Sequence, residues 1–181
     1  MRCFIAIELD KETRSILSEV QKELMNLGIR GKFTRDENLH LTLKFLGEIE
    51  APIFNDICKL IKKISVNNQL FVLELERLGK FDKGSKKILW AGISENKNLL
   101  SVFRNLESGL EAIMPIKKEI SYSPHITLAR EATFNLHEIE ITKFNEKLVH
   151  AFEAKGISLM ESTRVDGKLT YVRRAFESFT V

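Results

Sequence analysis

The tetrapeptide His-x-Thr-Leu occurs twice in this chain, at His40–Leu43 and again at His125–Leu128. The chain has only four histidines, so a matched pair of this kind is unexpected by chance. Imidazole titrates near neutral pH, and one histidine can therefore act as a base while a second acts as an acid. A hydroxyl beside each imidazole can donate a hydrogen bond to an oxygen that gains negative charge. The repeat thus indicates acid–base chemistry on a phosphate group.

Each motif lies in an apolar run with the pattern of a β-strand. Side chains two positions apart on a strand share a face, so His40 and Thr42 point the same way. The same rule applies to His125 and Thr127. The opposite faces carry apolar side chains that should pack against helices: Leu41, Leu43, Phe45, Ile126 and Leu128. A pseudo-two-fold axis between the two strands would bring both His–Thr pairs together across a cleft.

This arrangement suits the cleavage of a cyclic phosphodiester. One histidine would remove a proton from the attacking water, and the other would protonate the departing ribose oxygen. The residues alone leave open which histidine is the base. A single strand histidine is usually bonded to backbone groups, but the matched duplicate favours catalysis. A zinc site would need a third ligand, and no Asp, Glu or Cys lies on the expected face of either motif, so we predict no metal.

Hydrophobic periodicity and capping residues predict the elements that carry the motifs. In chain order these are a strand Arg2–Leu9, a helix from Asp10 to Leu27, a strand Leu39–Leu46, a helix beginning at Pro52, a hairpin of Leu70–Leu78 and Lys87–Ile93, a helix from Leu99 to Ile113, a strand His125–Ala129, a short helix within Ile141–Leu148, and a hairpin of Gly156–Thr163 and Leu169–Phe179. Helices interleaved with hairpins are typical of sheets covered by helices on one side. We therefore predict an α+β fold, a bilobal duplicated domain over residues 1–181. Two antiparallel sheets would line a central cleft, with one motif per lobe and helices on the outer faces.

The composition limits the class of protein. The 181 residues are 44% hydrophobic and 29% charged, which suits a folded domain with a sizeable core. No apolar run approaches the roughly 18 residues of a membrane span. The apolar start meets Glu8 and Asp10 at once, which leaves no room for a signal peptide, so we expect a cytoplasmic protein. The net charge of +3 permits an anionic ligand without predicting a protein that wraps nucleic acid, and no obligate protein partner is evident.

When the residues that flank each motif are included, the chain closely resembles the 2H phosphoesterases. Within that group it resembles the LigT-type RNA 2′,3′-cyclic phosphodiesterases, long called 2′-5′ RNA ligases. The matching stretches are Asn38–Gly47, Tyr122–Arg130, Arg2–Glu8 and Ile88–Ile93. The resemblance implies the bilobal fold, hydrolysis without metal or cofactor, and an RNA or nucleotide with a 2′,3′-cyclic phosphate end as the partner. It also implies that His40 donates the proton to the leaving oxygen, that His125 activates water, and that the product is a 2′-phosphomonoester.

Arg130 matches the family's arginine after the second motif, which the resemblance credits with a phosphate contact. Strict alternation places Arg130 on the face opposite His125, so a bulge or a strand end would have to turn it. Lys44 shares the His40 face by the same rule, either as a phosphate ligand or as a solvated rim residue. Tyr122, just before the second motif, is a candidate cleft residue.

Several functional alternatives remain open at this level. The basic segment 79–87 is predicted as a hairpin turn whose lysines either contact RNA phosphates or are only solvated. Trp90 either stacks on a base or packs in the core. The alternatives to hydrolysis of a cyclic RNA end are a nucleotide cyclic phosphate or a 2′-5′ linkage as substrate, the reverse ligation, and a non-catalytic RNA-end binder.

Overall fold

Helices and strands alternate along the chain in the computed structural model, which describes residues 1–133 and 141–181. The strands are β1 (Arg2–Glu8), β2 (Arg30–Phe33), β3 (His40–Glu48), β4 (Phe71–Lys83), β5 (Lys86–Ile93), β6 (His125–Thr133), β7 (Ala151–Ala154), β8 (Gly156–Val165) and β9 (Lys168–Ser178). The helices are α1 (Lys11–Asn26), α2 (Ala51–Val66) and α3 (Lys97–Glu111), with short 3₁₀ helices at Asp36–Asn38 and Asn145–Leu148. The predicted elements are present in the predicted order. The short strands β2 and β7 were not predicted.

The named strands pair antiparallel in the order β7-β4-β5-β6-β3-β1-β8-β9, and β2 also pairs with β6. The sheet has two halves, β7-β4-β5-β6 and β3-β1-β8-β9, and a motif strand forms the inner edge of each. These two strands meet at Leu41 and Ile126, the second residues of the two motifs. The predicted α+β class is therefore confirmed. The two predicted sheets are joined into one because the motif strands hydrogen-bond to each other.

The two halves repeat one structural unit. The segment β1-α1-β3 and the segment β5-α3-β6 each contain a strand, a helix and an antiparallel neighbouring strand. An antiparallel pair has local two-fold symmetry, and the pair Leu41–Ile126 lies at the same position of both motifs. The fold therefore relates the first motif to the second across the junction of the two halves.

Local sequence sets where the helices begin. The carboxylate of Asp10 accepts a hydrogen bond from the backbone N–H of Thr13 at 2.7 Å and caps α1. Asn96 caps α3 in the same way, through the backbone N–H of Leu99 at 3.0 Å. Pro52 occupies the first turn of α2, where its missing N–H costs nothing. None of these described helices is long and apolar enough to span a membrane.

The helices cover one face of the sheet and leave the motif face open. Buried side chains of all three helices share one core with the odd-numbered residues of β1, which are Cys3, Ile5 and Ile7. The even-numbered side chains of β1 point to the other face, where a small separate cluster contains Phe4, Ala6 and Met160. That second face forms the wall of the cleft that holds the motifs.

A β-bulge interrupts β3 at the fourth residue of the first motif. Along the neighbouring strand, Ile5 pairs with Lys44 and Ala6 pairs with Thr42, so that Leu43 is the extra residue. An extra residue shifts the alternation of side chains by one position. The residues before Leu43 and those just after it, up to a second register shift between Phe45 and Gly47, therefore follow opposite alternation patterns.

The second motif contains the same bulge at the same position. Along β5, Leu89 pairs with Ala129 and Trp90 pairs with Thr127, which makes Leu128 the extra residue of β6. The duplicated sequence motif therefore encodes a duplicated backbone irregularity as well as a duplicated pair of side chains.

The two bulges decide the direction of the residues that follow. Lys44 and Ala129, next after the bulges, are buried, whereas Phe45 and Arg130 lie on the cleft face. The prediction that Phe45 faces the core is wrong, since its side chain is 60% exposed. The bulge at Leu128 turns Arg130 to the face that carries His125, and a contact between Arg130 and the phosphate would require that orientation.

The hairpin between β4 and β5 is tighter than predicted. Strand pairing continues from Leu75 to the last pair, Lys83 with Lys86, and only Gly84 and Ser85 form the turn. Gly84 has a φ of +63°, a value typical of two-residue hairpin turns. The prediction of a turn over residues 79–87 is therefore wrong, because most of these residues belong to paired strands.

Candidate active site

His40 and His125 occupy the first positions of β3 and β6, at the junction of the two halves of the sheet. Nδ1 of His40 lies 2.7 Å from the backbone carbonyl oxygen of Asn38, and Nδ1 of His125 lies 2.8 Å from that of Ser123. A carbonyl oxygen can only accept a hydrogen bond, so Nδ1 of each ring carries a proton. Nε2 is therefore the atom of each ring that can gain or lose a proton.

The first threonine is held against the first histidine. Oγ1 of Thr42 lies 2.9 Å from Nε2 of His40, so the hydroxyl donates to the neutral ring and accepts from the protonated ring. The hydroxyl of Tyr122 donates to the carbonyl oxygen of Thr42 at 2.8 Å, and burial raises the pKa of Tyr122, which keeps it a donor. The Tyr122 ring stacks on Phe103 of α3 at a centroid distance of 4.2 Å. Tyr122 thus lines the cleft and also fixes the strand that carries Thr42.

The motif side chains meet at one cavity of about 310 Å³. Thr42, His125, Thr127 and Arg130 line this cavity, which we call the phosphate site. His40 adjoins it through the hydrogen bond to Thr42. Within residues 1–133 and 141–181, no group of three or more His, Cys, Asp or Glu side chains is arranged to hold a metal ion. The five residues singled out from the sequence are therefore neighbours.

The surroundings of His40 favour its neutral form. The ring is half-buried between Phe4 and Tyr171, at centroid distances of 4.7 and 5.1 Å. Burial lowers the pKa of His40 from 6.5 to about 4, and the positive charges of Arg130 and His125 act in the same direction. The hydrogen bond to the backbone carbonyl opposes this shift without reversing it. On these surroundings alone, His40 is neutral at pH 7.

Residues 7–90 match the family model for LigT-like phosphoesterases. The chain is 31% identical over 167 residues to the RNA 2′,3′-cyclic phosphodiesterase of Methanocaldococcus jannaschii. The alignment covers 90% of this chain and 92% of that protein. This chain belongs to the LigT-like phosphoesterase family.

Further relatives of this LigT-like phosphoesterase have similar sequences and folds. The RNA 2′,3′-cyclic phosphodiesterase of Aquifex aeolicus is 29% identical over 170 residues, covering 90% of this chain and 89% of that protein. The crystal structure of E. coli LigT complexed with 3′-AMP has a TM-score of 0.81 at 25% identity, over 99% of this chain and 98% of that one. TT0787 of Thermus thermophilus has a TM-score of 0.82 at 24% identity, with the same coverage, which supports the fold alone.

Lys44 of this LigT-like phosphoesterase is a buried lysine that is paired with two carboxylates. Its side chain is 3% exposed, and Nζ lies 2.7 Å from Oε1 of Glu107 and 3.1 Å from Oε1 of Glu119. Nζ also donates to the carbonyl oxygen of Lys117 at 2.9 Å. The prediction of a solvated rim residue is therefore wrong, whereas a phosphate contact stays a prediction, because Lys44 also lines the phosphate site. The bulge at Leu43 turns the Lys44 side chain toward Glu107 of α3. Through Glu119 and Lys117, Lys44 also links the first motif segment, β3, to the second, which runs from Lys117 into β6.

Carboxylates of the same surface contact three lysines of residues 79–87, which are Lys80, Lys86 and Lys87. Lys80 and Lys87 lie 3.1 and 3.0 Å from carboxylate oxygens of Asp82, and Lys86 lies 2.9 Å from Glu131. Lys87 and Lys80 lower the pKa of Asp82, and Lys32 and Lys86 lower that of Glu131 to about 2. The contacts favour the solvated alternative for this basic segment over an RNA contact.

Trp90 packs against neighbouring residues, as one of its two predicted alternatives requires, and stacking on a base stays a prediction. Its ring lies over Gly79, where a Cβ atom would overlap it, and packs on Phe81 at a centroid distance of 5.1 Å. Trp90 and Phe81 also border a cavity of about 350 Å³ beside His125. The edge of the Phe81 ring contacts the His125 ring at 5.0 Å. Trp90 therefore packs against its own hairpin while remaining part of the cleft wall.

Asn38 is a residue of the candidate site for which the sequence pattern predicted no role. Its side chain donates to the carbonyl oxygen of Leu169 at 2.9 Å and accepts from the backbone N–H of Tyr171 at 3.1 Å. Its own carbonyl oxygen holds Nδ1 of His40. Asn38 thus joins β9 to the first histidine. The sequence contains a signal for this role, because a polar residue stands two positions before each motif histidine. It is Asn38 in the first case and Ser123 in the second.

Proposed function

We propose that this LigT-like phosphoesterase hydrolyses the 2′,3′-cyclic phosphate ends of RNA to 2′-phosphomonoesters, without a metal ion or another cofactor. The observation that carries the proposal is the pair of imidazoles at one junction, each with Nδ1 held by a backbone carbonyl and Nε2 left for proton transfer. Two hydroxyls and the guanidinium of Arg130 line the adjoining cavity and suit an anion. The relatives from M. jannaschii and A. aeolicus are named for the same activity.

The proposed reaction uses one proton transfer at each histidine. Nε2 of His125 accepts a proton from water as the water oxygen bonds to phosphorus. The bond between phosphorus and O3′ breaks, and O3′ takes the proton from Nε2 of His40, so the phosphate stays on O2′. Thr42 and Thr127 donate to the non-bridging oxygens, on which charge develops. The assignment of acid and base follows the family resemblance, and exchange with solvent restores both rings.

The proposed role of His40 requires a protonated ring, although its surroundings lower its pKa to about 4. A bound phosphate anion places negative charge beside the ring and therefore favours the protonated form. We expect saturating 2′-AMP to raise the pKa of His40, measured by NMR titration, by about one to three pH units. The signal of His150, which contacts Thr13 outside the cleft, serves as the reference. A His40 pKa that stays unchanged with bound ligand would argue against its role as the acid.

The two threonine hydroxyls give a second test. Thr42→Val and Thr127→Val keep the side-chain shape but remove a donor to a charged oxygen, which is worth about 1.5–3 kcal/mol. We expect each variant to lower kcat by about 10- to 150-fold. Thr42→Ser and Thr127→Ser retain the hydroxyl and should keep most of the rate. Valine variants with the rate of the unaltered protein would remove the threonines from the mechanism.

The primary experiment is incubation with a short RNA that ends in a 2′,3′-cyclic phosphate, in excess EDTA, followed by identification of the product end. A 2′-phosphate product is the expected result. A 3′-phosphate product would refute the proposed regiochemistry, and loss of activity in EDTA would refute independence of metal. If the RNA binds measurably but its cyclic end stays intact, the result would favour the alternative function, a non-catalytic RNA-end binder.

A further inference from the structure

A second cavity, which we call the side groove, adjoins the phosphate site on the His40 side. It measures about 510 Å³ and its wall includes Arg2, Phe45, Gly47, Ser162, Leu169 and Tyr171. Phe45 and Arg130 line both the side groove and the phosphate site. The groove extends over β1, β8 and β9, which lie on the far side of β3 from β6. It therefore begins beside His40 and leads away from His125.

An arginine stands at each end of the side groove. Arg130 is at the inner end, and Arg2, the first residue of β1, is exposed at the outer end. Neither guanidinium has a carboxylate partner in the part of the chain that the structure describes. Glu48, which pairs with Arg2 in the sheet register, contacts the terminal amine of Met1 at 3.3 Å instead. Both arginines are thus available to an anionic ligand.

Arg2 is too far along the sheet to bind the phosphate that is cleaved. Thr42 pairs with Ala6, and Arg2 lies four residues farther along β1, which is about 13 Å at a rise of about 3.3 Å per residue. Strand alternation places Arg2 on the cleft face together with Ala6. The phosphate that Arg2 can bind is therefore a different phosphate of the same ligand.

The wall between the two arginines is apolar and exposed. Phe45 is 60% exposed and Leu169 is 43% exposed, although both are large apolar side chains. Exposed apolar surface inside a groove indicates a ligand with flat apolar faces, and nucleobases stack on aromatic side chains of single-strand binding proteins. Alternating positive charge and apolar surface matches the alternating phosphates and bases of a polynucleotide.

We propose that the side groove binds the RNA chain that precedes the cyclic end, with Arg2 neutralising a backbone phosphate of that chain. This inference rests on the proposed function. In the proposed reaction O3′ leaves toward His40, so the terminal ribose lies on the His40 side. The chain continues from the 5′ oxygen of that ribose, next to the side groove.

The cavity on the other side of His125 does not suit a polyanion. It is lined by Glu76 and Glu95, and the guanidinium of Arg77 in its wall lies 3.7 Å from Glu76. Carboxylates at this wall would repel the backbone phosphates of RNA. The difference in charge between the two flanks therefore sets one direction for the chain, away from His125.

The test compares two substrates that differ only in the presence of an upstream chain. Adenosine 2′,3′-cyclic phosphate has no other phosphate, whereas a short oligoadenylate with the same end has several. We expect the unaltered protein to prefer the oligoadenylate in kcat/KM. Arg2→Gln should lower kcat/KM for the oligoadenylate by about tenfold and leave the value for the mononucleoside unchanged. The slope of log kcat/KM against log salt concentration should fall by about one for the oligoadenylate only.

Two further variants separate charge from position. Arg2→Lys keeps the positive charge and should keep most of the preference for the oligoadenylate. Arg104→Gln removes the same charge from the exposed surface of α3 and should not change the preference. Equal kcat/KM values for the two substrates, or equal losses on both in Arg2→Gln, would overturn the inference and leave the proposed function intact. Failure to hydrolyse either substrate would overturn the proposed function and this inference with it.

Discussion

Replacing His125 by glutamine is expected to lower kcat for cyclic-end hydrolysis by about 10²- to 10⁴-fold, and His40→Gln should have an effect of the same order. Glutamine has an amide that can donate to the carbonyl oxygen now bonded to Nδ1, but it cannot exchange a proton near neutral pH. The affinity for 2′-AMP should change only a few-fold, because the threonines and Arg130 still line the phosphate site. The measurement pairs kcat in EDTA with the Kd of 2′-AMP.

The matched control for these variants is His150→Gln. His150 contacts Thr13 on α1 and does not border the phosphate site, so the same chemical change there should leave kcat as it is. Retention of turnover in either His40→Gln or His125→Gln would rule out the two-histidine mechanism. An unaltered protein that binds 2′-AMP and turns over no cyclic phosphate would identify a binding module, since it would have no turnover to lose.

The replacement Lys44→Met is expected to lower the free energy of unfolding by about 3–5 kcal/mol. The variant removes the ammonium and leaves the carboxylate of Glu107, which is 3% exposed, as a buried charge that has lost its 2.7 Å partner. Glu119 is partly exposed and can be solvated, so Glu107 dominates the loss. Urea unfolding followed by circular dichroism measures the change.

Two variants test whether the buried charge is the cause. In the double variant Lys44→Met/Glu107→Gln no buried carboxylate is left unpaired. Glu107 accepts a hydrogen bond from the backbone N–H of Glu119 at 2.8 Å, and the side-chain carbonyl of the new glutamine can still accept it. The free energy of unfolding should therefore partly recover. Lys59→Met removes a lysine from an exposed pair with Asp56 and should have little effect. If Lys44→Met were no more harmful than Lys59→Met, the ion pair at Lys44 would not hold the two motif segments together.

The sequence by itself determined the class of fold and the residues of the candidate site. Helix and strand periodicities are local properties, and therefore the order of elements around β3 and β6 could be predicted from the spacing of apolar residues. The shared face of His40 and Thr42, and of His125 and Thr127, follows from strand geometry over three residues. The duplication of the motif then indicated that the two pairs meet.

Only the tertiary structure decided which residues surround the two motifs. A bulge exists as a mismatch between two paired strands, so the extra residues Leu43 and Leu128 could not be recognised from one strand alone. The orientations of Lys44, Phe45 and Arg130 all depend on those bulges, which explains why strict alternation gave the wrong face for all three.

The properties of His40 likewise depend on contacts that are distant in sequence. Asn38 orients the ring and is itself held by Leu169 and Tyr171 of β9, more than a hundred residues away. The pKa of His40 is low because β1 and β9 bury it between Phe4 and Tyr171. Burial and charge act through space rather than along the chain. The sequence therefore identified the two histidines of the proposed acid–base pair, and the packing around the first of them lowers the pKa of His40.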